Sequence, residues 1–274
     1  MKTIVITGST SGIGNAVLKE FAKGDFKIFA GYRNEAHKAK LLAISPNITP
    51  FYIDMEKEET ISNAANLILD NTEKIDVLIN VAGCVCAGLM ENLDISAIKQ
   101  QFQINTFSHL DFCQKLFKKL DGGKIINISS ESSFGIYPFI APYCASKRAL
   151  DILFNSLAIE THSDIKVISI KPGAVKTPIW NKSIESNKEI FSSCSGYEKE
   201  INFLIKNAQK SEKKGIEAEK VAKLIKKVSE MKNPKPSYTI GIDAKMAEIL
   251  SHLPLRIINF VVKKSLIRRL GNIS

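Results

Sequence analysis

Short runs rich in β-branched and apolar residues alternate along the chain with longer segments whose apolar positions recur every three or four residues. The runs at 3–7, 27–31, 48–53, 76–80, 124–129, 166–170 and 238–242 read as strands, and the segments between most of them as helices. Such alternation predicts parallel strands joined by right-handed helical crossovers, hence an α/β, doubly wound, three-layer domain over 1–242. Ligands of such sheets sit at the carboxyl ends of the strands, where Gly8, Arg33, Asp54, Asn80, Ser130 and Pro172 fall. Two segments break the rhythm. Within 178–215, Ile179, Trp180, Phe191, Tyr197, Ile201 and Phe203 lie among Ser, Asn and Lys, which predicts a mobile helical insertion over the site. Residues 243–274 form a C-terminal helical extension, apolar and flanked by basic residues over 246–270. It is interrupted at Leu253-Pro254, because proline lacks an N–H and disfavours helix just before it.

Candidate chemistry lies in two places. The first run turns through Gly8-Ser9-Thr10-Ser11-Gly12-Ile13-Gly14 into a segment carrying Ala16, Val17, Phe21 and Ala22. Gly8 suits a tight turn, Gly12 a close approach of backbone to pyrophosphate, and Gly14 close packing of helix on strand; free N–H groups at the helix N-terminus favour an anionic dinucleotide. Farther on, Tyr143-Cys144-Ala145-Ser146-Lys147 places a phenol and an ammonium four residues apart on one helical face. A neighbouring cation favours phenolate, which predicts a tyrosine pKa pulled down toward the working range of acid–base chemistry.

Taken in order, Thr7-Gly8-x-x-x-Gly12-Ile13-Gly14, Asn80-Val81-Ala82-Gly83, Asn105, Ser130, Tyr143-x-x-x-Lys147 and Pro172-Gly173-x-x-x-Thr177 resemble the short-chain dehydrogenase/reductase family, over about the first 180 residues. The chain departs from the family's usual Asn-Asn-Ala-Gly or Asn-Ala-Gly at Val81, keeping the first asparagine and the last glycine. The resemblance implies a Rossmann-type fold and hydride transfer between a nicotinamide cofactor and a carbonyl or alcohol. Tyr143 would be the acid/base and Ser130, rather than its neighbour Ser129, the partner of the substrate oxygen. Lys147 would hold the nicotinamide ribose, and Asn105 would anchor a water continuing the proton path. The cofactor would lie against Gly8, Thr10, Ser11, Gly12, Ile13 and Gly14, against Asp54 and Met55 at the adenine, and against Asn80, Ala82 and Gly83. Pro172, Gly173, Val175 and Thr177 would flank the nicotinamide, beside Tyr143 and Lys147. Family members are commonly dimers or tetramers through the helices holding Asn105 and Tyr143.

Cofactor choice is read just beyond the second strand. A carboxylate there accepts hydrogen bonds from the ribose hydroxyl of NAD and repels a 2′-phosphate. This chain has Gly31-Tyr32-Arg33 instead, and Arg33 offers a planar fork to a phosphate. NADP(H) is therefore expected over NAD(H). Phe134, Ile136, Tyr137, Pro138, Phe139 and Ile140, with Trp180 and Phe191, predict an apolar pocket wall. The expected substrate is a bulky apolar carbonyl or alcohol such as a steroid, retinoid or other lipid-like ketone. The alternatives are a 3-oxoacyl thioester and a non-catalytic NADP(H)-binding sensor or scaffold.

The 274 residues suffice for one large α/β domain. Five cysteines without a Cys-x-x-Cys pair, and a strand following directly on Met1-Lys2, lead to the expectation of a reducing cytoplasm. Four scattered histidines argue against a metal site. The net charge of +10 is concentrated late in the chain, without the aromatic interleaving of a nucleic-acid binder. Residues 253–270 combine apolar and basic side chains and could make a peripheral membrane contact. Packing on the chain's own domain or at a subunit interface is preferred, because apolar residues nearly circle the helix.

Overall fold

The computed structural model describes residues 1–193 and 195–271; Cys194 lies outside the described residues. Seven parallel strands form one sheet: β1 (Lys2–Ile6), β2 (Phe26–Tyr32), β3 (Ile48–Tyr52), β4 (Val77–Asn80), β5 (Lys124–Ile128), β6 (Lys166–Pro172) and β7 (Ser237–Ile240). Their spatial order is β3-β2-β1-β4-β5-β6-β7. The chain winds outward from β1 to β3, then restarts beside β1 and winds the other way, so a crevice opens where β1 and β4 end. The last strand stops two residues short of the expected 242. Gly241 takes φ +113°, which turns the chain out of the sheet, and Ile242 already begins a helix.

Helices cover both faces: α1 (Gly12–Phe21), α2 (Lys38–Leu42), α3 (Glu58–Asn71), α4 (Ile95–Phe102), α5 (Ser108–Leu116), α6 (Ala141–Glu160), α7 (Ile179–Ser186), α8 (Lys188–Ser193), α9 (Glu198–Lys214), α10 (Ala218–Glu230), α11 (Ile242–Leu250) and α12 (Leu255–Gly271). Strand residues alternate between the layers, as their period of two requires. Ile4, Ile28 and Ile126 face α1 and α10, where Val17, Phe21, Val221 and Ile225 complete one core. Val5, Phe29 and Leu78 face the other layer, built on Ile68, Phe112 and Phe154. Burying both faces of a parallel sheet is what makes its strands read as nearly continuous apolar runs.

The expected insertion contains α7, α8 and α9. The extension is two helices, α11 and α12, separated at Leu253-Pro254 as proline's missing donor requires. Between α4 and α5 the chain makes one π-helical turn, Gln103–Phe107. Such turns often mark functional positions, and this one carries Asn105.

Candidate active site

A cleft of about 970 Å³ follows the carboxyl ends of β1, β4 and β5, from Gly8 and Arg33 at one end to Tyr143 and Trp180 at the other. Its phosphate end is made of backbone. Gly8 has φ +63°, and a Cβ there would lie 2.9 Å from the Ala82 backbone. Gly14 does not line the cleft. A Cβ on it would stand 2.1 Å from the Gly8 carbonyl, so its absence lets α1 close on the turn. The start of α1, at Gly12 and Ile13, therefore faces the cleft with N–H groups available to an anion. Thr10, Ser11, Gly12 and Ile13 line this end, as do Arg33, Asp54 and Met55. Arg33 forms an exposed ion pair with Glu56 at 3.6 Å, and Gly31 presents no acid beside it. The residues present thus fit a dinucleotide diphosphate.

At the other end the structure gathers Ser130, Tyr143 and Lys147; Gly83, Pro172, Gly173 and Val175 also line the cleft, as do Ala82 and Thr177, which lie against Gly8 and Gly12. Tyr143 and Lys147 follow Pro142 in the first turns of α6, and both are buried. The Lys147 ammonium donates to the Ile128 carbonyl at 2.8 Å, anchoring α6 to the end of β5, and sits 6.0 Å from the centre of the Tyr143 ring. Burial lowers the Lys147 pKa to about 8 against the opposing field of Asp151. Burial also pushes the Tyr143 phenol up to about 12, a rise that a hydrogen bond with Ser130 partly offsets. This differs from the expectation of a tyrosine drawn down by its lysine: desolvation dominates, and the lysine ammonium is turned to a carbonyl 2.8 Å away. Cys84, also in the cleft, is pushed up to about 11 by burial and holds a neutral thiol.

Asn80 and Asn105 do not line the cleft, contrary to what was expected of Asn80 as a cofactor contact. Asn80 Nδ2 donates to Asn127 Oδ1 at 2.8 Å across the β4–β5 register, so it ties two strand ends together beneath the site. Asn105 Oδ1 accepts from the Cys84 N–H at 2.9 Å, and its Nδ2 donates to the Cys84 carbonyl and the Ser146 hydroxyl. A Cβ built on Gly83 would lie 3.2 Å from that oxygen and 3.6 Å from Lys147 Nζ, so asparagine and lysine both converge under Gly83.

The irregular segment after β4 is held by side chains that sequence reasoning missed. Thr7 Oγ1 accepts from the N–H groups of Val81 and Ala82, and His109 Nε2 donates to the Ala82 carbonyl at 2.8 Å. Burial and the Lys147 charge depress His109 to about 4, keeping it neutral. Gln101 accepts from the Cys86 N–H and donates to the Cys84 carbonyl. Ser183 and Asn187, from the covering insertion, donate to the Val85 carbonyl at 2.9 and 3.0 Å. Buried backbone without a strand partner needs such answers. The available signal was the spacing of Gln101, Asn105 and His109, each four residues from the next. Lys182 was missed too: from α7 its ammonium reaches the Ser11 hydroxyl of the glycine turn at 3.4 Å, adding a cation to the phosphate end.

The apolar wall differs from expectation. Trp180 crosses Tyr143 edge-on at 6.4 Å and lines the cleft with Ile179, whereas Ile140 and Phe191, expected in the wall, pack on the same cluster without lining it. Phe134, Ile136, Tyr137 and Pro138 do not line the cleft; Phe134 lies under the Lys171 ammonium, 4.3 Å from ring centre, and Ile136 is exposed. Phe139, at φ +70°, turns instead toward Phe203 of α9. The turn that carries these residues directs them away from the cleft, which local sequence does not reveal.

Residues 2–189 match the family model described as short chain dehydrogenase. The chain belongs to the short-chain dehydrogenase/reductase family, oxidoreductases that use nicotinamide cofactors. It is 27% identical to the NADPH-dependent 3-dehydrocapnine reductase of Ornithobacterium rhinotracheale over 97% of this chain and 98% of that protein. It is 30% identical to the NADPH-dependent 1-acyldihydroxyacetone phosphate reductase of Saccharomyces cerevisiae over 72% of this chain and 69% of that one. A short-chain dehydrogenase from Streptomyces avermitilis shares the fold with a TM-score of 0.78 at 21% identity, covering 97% of each chain.

Proposed function

We propose that the protein reduces a ketone on a lipid-like, largely apolar substrate with NADPH. The observation that carries this reading is the convergence of Ser130, Tyr143 and Lys147 in one cleft whose far end is a glycine turn attended by Arg33 and Lys182. When bound, NADPH supplies the hydride. The buried Tyr143 hydroxyl keeps its proton at neutral pH, yet it is a stronger acid than an alcohol, so it can protonate an oxygen on which negative charge develops. Ser130 would hydrogen-bond that same oxygen, and Lys147, with Asn105 beneath Gly83, holds the floor of the site in place. Trp180, Ile179 and the Tyr143 ring offer an apolar surface to the rest of the substrate. Two relatives are named as NADPH-dependent reductases, one of an acylated dihydroxyacetone phosphate, which agrees with an acyl-bearing ketone.

The test is a panel of steroid ketones, retinal, long-chain acyl ketones and 3-oxoacyl thioesters, followed by NADPH absorbance. Turnover confined to the thioesters overturns the substrate class, and cofactor binding without any turnover overturns the enzyme. Cofactor preference is tested separately. Arg33→Asp should lower the NADPH over NADH preference by about one to two orders of magnitude. Tighter NADH binding by the unaltered protein overturns the NADP reading.

A further inference from the structure

The two C-terminal helices invert the usual arrangement of a protein surface. Among the described residues of α12 none is buried. One stripe of it, Ile258, Val262, Leu266 and Leu270, is half-buried, and the helix packs on α9. The opposite arc carries Ile257, Phe260, Val261 and Ile267, all exposed, with Phe260 at 65%. The apolar circle read from the sequence is thus two faces, one against the protein and one uncovered among the described residues. In α11, Ile242, Met246, Ile249 and Leu250 fall at helical spacing on a second exposed stripe, Ile249 at 70%. Exposed hydrocarbon on this scale marks an interaction surface.

Charge selects the occupant. After Glu248 the sequence contains no acidic residue, while Arg256, Lys263, Lys264, Arg268 and Arg269 place five cations on α12. Pairing this face with that of a second copy would set those cations against their equivalents. An anionic surface neutralises them, and long basic side chains can lay their stems along hydrocarbon while their charges reach headgroups. Lys264 already lies 5.8 Å from the centre of the Phe260 ring. At 17 residues, α12 is about 25 Å long. Among the described residues no helix is long and apolar enough to cross a membrane.

We infer that α11 and α12 dock the protein flat on an anionic lipid bilayer. The inference deepens the lipid-substrate reading and gives it a route. α9 packs against both α12 and α7, and α7 carries Trp180 over Tyr143, so the docked surface lies one helix away from the cover of the cleft. The dimer implied by the family resemblance would use the helices holding Asn105 and Tyr143, where Phe107 and Ile152 are exposed.

The experiment sediments the full-length chain with vesicles of phosphatidylcholine alone and of phosphatidylcholine mixed with phosphatidylglycerol, at low and high salt, while solution mass is measured in parallel. Binding to the mixed vesicles is expected, reduced by salt and weak on phosphatidylcholine alone. The pair Lys263→Glu, Lys264→Glu should weaken it about tenfold or more, as should Phe260→Glu, with thermal unfolding unchanged because these side chains are exposed. Absence of wild-type binding, equal binding to both vesicles, or a change of solution mass in the variants without loss of sedimentation overturns the inference. Because no step needs turnover, failure here is distinguishable from failure of the proposed reaction.

Discussion

Helices α6 and α12 are of similar length and opposite in logic. α6 buries what ought to be wet: Lys147 is 4% exposed and Asp151 3%. α12 exposes what ought to be dry. Neither arrangement favours stability by itself. A buried lysine costs desolvation, visible in its lowered pKa, and exposed phenylalanine forgoes hydrophobic gain. Function is the common reason a chain retains such positions. In α6 the burial aligns a phenol and an ammonium beside a cleft, and the buried polar groups find partners inside the fold: Lys147 on the Ile128 carbonyl at 2.8 Å and Asp151 on Lys171 at 2.9 Å. In α12, among the described residues, no ion pair answers the cations and the outer apolar arc has no cover, which is why the proposed partner is an outside surface. A defect of local rules points inward when its partners are present and outward when they are not.

The contrast can be broken from either side. The largest effect expected is that of Tyr143→Phe, which should lower ketone turnover about a thousandfold. It should leave cofactor binding within about twofold, read from the fluorescence of Trp180, the chain's single tryptophan. Turnover above about a tenth of normal would show that the buried face of α6 is structural only. Next comes Asp151→Asn, which leaves Lys171 buried without its counterion. Denaturant unfolding should register a loss of about 3 kcal/mol, and a loss much smaller would mean that water already reaches the pair.

A smaller effect is expected at Glu131, directly after Ser130. Burial, then the Asp243 carboxylate, raise its pKa from the ordinary 4.5 to about 7. The native state therefore holds a proton that the unfolded chain releases, and this group's contribution makes stability fall as pH rises from about 4.5 to about 7. Glu131→Gln should remove that slope and stabilise the protein by about 1–2 kcal/mol at pH 8, measured by unfolding at several pH values. An unchanged slope would place the carboxyl in contact with solvent. Smallest of all, Phe260→Ser on the outer arc of α12 should change stability by less than about 0.5 kcal/mol. A larger loss would mean that this arc is covered by the chain's own packing or by a second copy.

Much of this was legible beforehand. Apolar runs of period two and helices of period 3.6 placed every strand within a few residues. The glycine turn, Ser130, Tyr143 and Lys147, which share one cleft, stood out in the sequence because the chemistry proposed for them needs fixed local spacings. What escaped was non-local. Asn80 looked like a ligand contact and is a strut to Asn127, 47 residues away. Lys182 meets Ser11 across 171 positions of sequence. The phenylalanine and tyrosine after Ser130 looked like a pocket wall, yet a turn directs them elsewhere.

From the amino-acid sequence alone follow the alternation of strand and helix, the glycine turn and the pairing of tyrosine with lysine, because each depends on residues that are neighbours along the chain. Tertiary structure alone decided that the tyrosine is raised in pKa, that six distant side chains hold the segment after β4, and that one arc of α12 faces outward. Desolvation, hydrogen-bond satisfaction and exposure are properties of what surrounds a group in space, and folding determines those surroundings.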